Sequence, residues 1–307
     1  MGAGSVWRRS IANRRSPPPP NLPRRGRDKK PTVKLRLFVI LYLVLFVIVP
    51  LLAAIPPLVR EPFGQTWKTI TSDEAAAAIK LSVYAATAAA VINALMGTLI
   101  AWTLVRVRFP LRKIVDALVD VPFVLPPVVA GLALLAVYGP ASWFGQFAGD
   151  GGPFGALLTK LHLPVFQLTG GFAGLVIANL FITLPFVVRT TQPVIETLET
   201  DVEDAAASLG ASTTQIFRLI TLPQILPAML LGFGLAFARG INEYGVAVMV
   251  SGNVPFESQI GPVYMYQRLE GNDYTGATAM GAVLTVISLG VLVMTYACIQ
   301  WRGRRVA

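Results

Sequence analysis

Two polar clusters hold most of the residues that could do chemistry in this chain. The first is Glu199, Asp201, Glu203 and Asp204, four carboxylates within six positions, followed at once by an alanine run. Clustered carboxylates can share a proton or hold a cation. They can equally sit at the start of a helix, where negative charge is favourable against the backbone dipole. The alanines that follow favour the second use. The second cluster is Arg239, Asn242, Glu243 and Tyr244, set inside a long apolar stretch. Arg239 and Glu243 are four residues apart and can pair on one helix face. The remaining reactive residues are few. There is one histidine, His162, so a multi-histidine metal site is excluded, and one cysteine, Cys298, so no intrachain disulfide forms. No His–Glu zinc pattern, no Gly-x-Ser-x-Gly and no Gly-x-x-x-x-Gly-Lys-Ser/Thr phosphate loop occurs in the sequence. The residues give no catalytic set, no metal site and no cofactor site, and ATP chemistry is not carried by this chain.

The elements that must position these clusters are membrane-spanning. Of 307 residues, 54% are hydrophobic and 14% charged, and the mean hydropathy is +0.62. A soluble domain carries about 25% charged residues. Six apolar runs approach the roughly 20 residues needed to cross a bilayer. They are Leu35–Leu58, Leu81–Val105, Ile114–Tyr138, Phe172–Val188, Pro227–Val250 and Ala279–Trp301. The third is interrupted by Pro122, Pro126 and Pro127. The fold class is therefore all-α, with six transmembrane helices across residues 35–302.

The formal charge of +10 suggests nucleic acid until its position is considered. Eleven of the 26 basic residues fall in the first 36 positions, beside an apolar run. Residues 1–34 are rich in Arg, Pro and Ser and read as a disordered basic tail; their poverty in acids also resembles a transit peptide. With the N-terminus in the cytoplasm, twenty basic residues lie on that side and five outside, which supports an N-in, C-in topology. Residues 303–307 then form a short cytoplasmic end, and nucleic acid is not a partner.

In this topology the first cluster lies in a cytoplasmic loop, 196–226. Gly210 suits the left-handed position that ends a helix. Ser212 with Gln215 three residues later forms a capping box for a second short helix. Pro223 and Pro227 are expected to stop that helix and start the next span. The loop reads as a helix–Gly–helix elbow at the membrane surface, either a docking element or an interfacial hairpin without a partner. In the fifth span, Gly232, Gly234, Gly240 and Gly245 allow close helix packing. Arg239, Asn242, Glu243 and Tyr244 there form either a polar strip along a translocation path or a structural ion pair with its neighbours.

Asp204-Ala205-Ala206, then Gly210, Ile220 and Leu222-Pro223, resembles the EAA loop of ABC-importer permeases. Asp204 stands where that pattern usually has Glu, with Glu203 just before it. Leu125-Pro-Pro-Val-Val-Ala-Gly131 resembles a segment shared by sulfate and molybdate permeases. Leu184-Pro-Phe-Val-Val-Arg-Thr-Thr-Gln-Pro193, Phe237-Ala-Arg-Gly-Ile-Asn-Glu-Tyr-Gly245, Ser251-Gly-Asn-Val-Pro255 and Asp273-Tyr-Thr-Gly-Ala-Thr-Ala279 extend the likeness to the T-type (U-type) permeases of sulfate/thiosulfate importers. The similarity covers about residues 35–301. Asn242 stands where a small residue is usual before Glu-Tyr-Gly.

The resemblance implies a type I importer permease (MetI-like) fold with no enzymatic activity of its own. It makes the elbow a coupling helix seated on an ATPase subunit. It implies a second, W-type permease, two copies of an ATPase carrying ATP-Mg, a periplasmic or lipid-anchored sulfate-binding protein, and surrounding lipid. A molybdate or tungstate permease and a polytopic membrane enzyme are the alternatives. The outer loop from Tyr138 to Gly171 favours the sulfate type.

Overall fold

The computed structural model describes residues 33–49, 52, 63–149, 152–161 and 169–306. Residues 1–32 of the basic tail, His162 and most of 50–62 lie outside the described residues. The chain divides into two units, Met1–Ile55 and Pro56–Ala307. In the first, α1 (Val33–Leu43) continues through one π-helical turn, Val44–Ile48. From Leu37 to Val49 its side chains are apolar and exposed, as the first predicted span requires. The remainder of that span lies outside the described residues.

The second unit opens with α2 (Phe63–Ile70) and α3 (Asp73–Arg106). The Ser72 side chain accepts from Ala75 N–H, and Asp73 and Glu74 occupy the first turn, so α3 starts with a cap and favourable charge. It begins eight residues earlier than its apolar run, because that run reports only the greasy part of the helix. At 34 residues it is roughly 51 Å long, more than a bilayer core. Next come α4 (Arg112–Val119), α5 (Val121–Val124) and α6 (Pro127–Tyr138). Two short helices, α7 (Trp143–Ala148) and α8 (Pro153–Lys160), lead to α9 (Gly171–Glu196). The elbow is α10 (Thr200–Ser208) and α11 (Thr213–Ile216), continued by a π-turn at Phe217–Thr221 into α12 (Leu222–Gly240). The chain closes with α13 (Gly245–Val250), α14 (Gly261–Glu270) and α15 (Tyr274–Val306).

Four helical runs among the described residues are long and apolar enough to cross a membrane: α3, α9, residues 213–240 and α15. The third expected span is α4–α5–α6, broken at its prolines. It runs antiparallel along α9. Arg189 meets α4, Phe123 meets Phe186 edge-on at 5.1 Å, and Ala130 and Leu134 pack with Ala178 and Ile182.

Two expectations for the fifth span need correcting. Pro223 and Pro227 do not separate two helices. The run is continuous from 213 to 240, because the wide π-turn, in which Leu222 N–H donates to Phe217 O, lets the backbone change register before the prolines. Nor does the helix reach Val250. It stops at Gly240, and α13 restarts at Gly245. The break holds Asn242 and Glu243, but the apolar residues on both sides keep the averaged hydropathy high across it.

The core is the close approach of α3, α9 and α12. Lipid supplies no hydrophobic drive between helices, so small residues and tight packing must hold them. α3 and α9 run parallel, with Gly97 against Val187 and Val188. α12 runs antiparallel to α9, with Gly232 against Val187 and Thr190, and Gly240 against Asn179. Gly234 faces Thr295 of α15. A Cβ on Gly232 would sit 2.9 Å from the Val187 backbone, where nothing can yield. Gly232→Val should therefore lose about 1–3 kcal/mol of stability, read as a lower unfolding temperature in detergent, whereas exposed Gly290→Ala should leave that temperature unchanged.

Candidate functional site

The elbow is built from local signals. Gly210 has φ +89, its N–H donates to Ala207 O, and Ala211 N–H donates to Ala206 O. This is the two-bond glycine stop of a helix C-terminus. Beyond it, the Ser212 hydroxyl accepts from Gln215 N–H while Gln215 Oε1 accepts from Ser212 N–H, the expected capping box. The two arms are thus set at a fixed turn. Of the residues singled out in the sequence, Asp204, Ala205, Gly210 and Pro223 are exposed, while Glu203, Ala206, Ile220 and Leu222 are half-buried. Leu209 is 89% exposed. The outward face is therefore acidic and apolar together.

Glu203 turns the other way. Its Oε1 accepts from Arg106 at the end of α3, 3.4 Å away, and from the Thr221 hydroxyl at 2.9 Å. Arg106 lies over the Trp102 ring at 5.2 Å, and Trp102 meets Phe217 edge-on at 6.3 Å. Trp102 and Phe217 also wall an apolar groove of about 860 Å³ between α3 and α12.

The second cluster occupies the break between α12 and α13. Arg239 and Glu243 pair at 2.5 Å, as their spacing suggested. Glu243 is 2% exposed, and its other oxygen accepts from Val246 N–H, so it caps α13. Glu243 is thus held between a guanidinium and a helix start. Asn242 is exposed and donates to Ala238 O. Tyr244 stacks at a tilt on Tyr266, 5.0 Å away. The break between α5 and α6 lies alongside, with Pro127 against Gly245; a Cβ on that glycine would be 2.6 Å from Pro127 Cβ. Asn242, Pro126, Pro127 and Val128 are exposed together at this level.

One site was missed from the sequence. Arg189 donates two bonds to the Asp120 carboxylate at 2.8 and 2.6 Å, one to Asp116 Oδ1 at 2.7 Å and one to Asp116 O at 2.9 Å. The bidentate fork anchors α4 to α9. Asp116 and Asp120 are four apart on one helix face, which was a readable hint, but their partner lies about seventy residues away. Among the described residues no group of three or more His, Cys, Asp or Glu is arranged to hold a metal ion.

Residues 93–306 match the family model for the binding-protein-dependent transport system inner membrane component. The chain belongs to that family. Relatives include the sulfate transport system permease protein CysT of Synechocystis, 41% identical over 268 residues, covering 87% of this chain and 89% of that one. The same-named protein of Escherichia coli is 35% identical, covering 87% and 92%. Among solved structures, a bacterial alginate ABC transporter in complex with its oligosaccharide-bound periplasmic protein matches with TM-score 0.65 at 19% identity, covering 85% of this chain and 91% of that one. An inward-facing methionine ABC transporter matches with TM-score 0.51 at 14% identity, covering 76% and 99%. The fold is that of an ABC-importer permease, and this inner-membrane component is an integral, multi-pass membrane protein. It is a transporter subunit, not an enzyme.

In this inner-membrane component, removing one partner of the Arg239–Glu243 pair leaves the other at membrane depth. Arg239→Ala strands a buried carboxylate and should cost roughly 3–5 kcal/mol, seen as a reduced yield of folded protein. Glu243→Gln keeps an acceptor for Val246 N–H and should be the milder change in the same assay.

Proposed function

We propose that this chain is the permease subunit of an ATP-driven sulfate/thiosulfate importer. The observation that carries this reading is the likeness to sulfate permeases, about two-fifths identity over 87% of the chain. Two copies of a separate ATPase bind ATP-Mg. One seats on the outward face of α10, around Asp204, Ala205 and Leu209. A second, W-type permease completes the path, and a periplasmic or lipid-anchored binding protein delivers the anion. The elbow supports this assignment physically. A structured turn with an exposed acidic and apolar face offers both charge and buried area to a docking partner.

The path in this reading passes the break between α12 and α13. Charged and polar groups at membrane depth are costly unless they face a cavity or one another, and interrupted helices commonly line transport paths. Glu243 is satisfied internally, by Arg239 and by the start of α13. Arg239 and Asn242 remain for the path, with Tyr244 beside them. Arg239 is 36% exposed and attracts an anion, while its bond to Glu243 keeps that attraction weak enough for release.

The test is labelled-sulfate uptake in cells lacking their own sulfate uptake, with the chain expressed beside its ATPase, partner permease and binding protein. Uptake should need ATP and survive excess molybdate. Molybdate uptake without sulfate uptake would move the substrate. Gly210→Pro should insert normally and lose transport, because proline cannot adopt φ +89 and has no N–H for Ala207 O. Wild-type uptake by that variant would remove the elbow from the mechanism.

A further inference from the structure

We propose that Glu203 is the positioning residue that ties movement of the elbow to the membrane bundle, acting through Arg106 and Thr221. This rests on the coupling role proposed for the elbow. The three side chains come from three elements: α10, the end of α3, and the π-turn that opens α12. One carboxylate oxygen joins them all, accepting from Arg106 at 3.4 Å and from Thr221 at 2.9 Å. Without it, α10 has no other charged or hydrogen-bonded side-chain link to the spans among the described residues.

The helix divides its faces accordingly. Glu203 and Ala206, three residues apart, turn inward and are half-buried, whereas Asp201, Asp204, Ala205 and Leu209 are exposed. The outward set is free to meet a partner, and the inward carboxylate is committed to the bundle. The pair is shielded, with side chains 19% and 22% exposed. A link of this kind is less salt-screened than a fully exposed ion pair.

Arg106 is itself fixed from several sides. Trp102 supports its guanidinium face, and Phe217 buttresses Trp102 from the second arm of the elbow. Both arms of the elbow therefore converge on the end of α3. A pull on α10 reaches α3 through Glu203–Arg106 and α12 through Glu203–Thr221. Among the described residues Arg106 Nε is buried with no hydrogen-bond partner, an unusual state for a buried donor.

A passive brace and a coupling pin differ in what they change. Losing a brace lowers the amount of assembled transporter. Losing a coupling pin lowers the sulfate moved per ATP hydrolysed. The experiment uses the complete complex in proteoliposomes, measuring ATPase retention, ATP hydrolysis and labelled-sulfate uptake in the same vesicles. Glu203→Ala should retain the ATPase and its hydrolysis while sulfate per ATP falls by roughly five-fold, the lower end of coupling between sites. Thr221→Val should fall less, and Glu203→Arg combined with Arg106→Glu should regain part of the loss. A Glu203→Ala ratio equal to that of the unaltered chain overturns the proposal, as does a loss of assembly with an unchanged ratio in what remains. Should Glu203→Ala fail to assemble at all, Glu203→Gln, which still accepts from Thr221, decides: a reduced ratio supports the pin and an unchanged ratio overturns it. Absence of ATP-dependent uptake by the unaltered complex would instead count against the transport function itself.

Discussion

At Val187 three helices pack closely together, and the bundle depends on that approach. Val187 is fully buried, with Gly97 of α3 on one side and Gly232 of α12 on the other. In lipid the hydrophobic effect does not draw helices together, so contact area must come from shape. Two glycines opposite one β-branched residue provide it. From this contact α3 carries Arg106 to one end of the bundle, α9 carries Arg189, and α12 carries Arg239 towards the break. The polar sites are spaced by the lengths of helix that separate them from Val187.

Each polar site then joins elements that differ in sequence distance. Arg189 fastens α4 to α9, Glu203 fastens the elbow to α3 and α12, and Glu243 fastens the end of α12 to the start of α13. All three are carboxylate links at helix ends or breaks. That is where backbone groups lack intrahelical partners and charge is most useful. The mid-lengths of α3, α9 and α12 are joined instead by uncharged contacts: small residues against Val187, and Asn93, whose amide donates to Leu180 O and Thr183 Oγ1. Charge holds the ends, and close packing holds the middle.

What could be read from the sequence was what is encoded within a few residues. Gly210 and the Ser212–Gln215 cap fixed the elbow, and the Arg239–Glu243 spacing gave the ion pair, because each signal spans three to five positions. Four span positions were legible from apolar runs, since a bilayer demands length and composition. The breaks were half-legible: the prolines marked the one before α6, whereas at Gly240 only Asn242 and Glu243 interrupt the apolar run, and polar residues also occur inside continuous helices. Pro223 and Pro227 misled, because the rule that proline ends a helix assumes α-helical register, and the π-turn departs from it. The Arg106–Glu203 and Arg189–Asp120 links lie 97 and 69 residues apart, and no local pattern encodes a partner at that distance.

The interruptions before α6 and before α13 lie side by side, with Pro127 against Gly245. Beyond them the two segments continue packed together, Gly131 against Met249, and the last turn of α13 is stitched to the start of α9 by Gly170 N–H to Val250 O and Gly171 N–H to Ser251 O. A single scored rod bends in any direction. Two rods scored at one level and glued beyond the score bend only about the line that joins the marks. The two breaks therefore align as one crease, and the piece beyond it, α6 with α13, is joined as a unit to the start of α9.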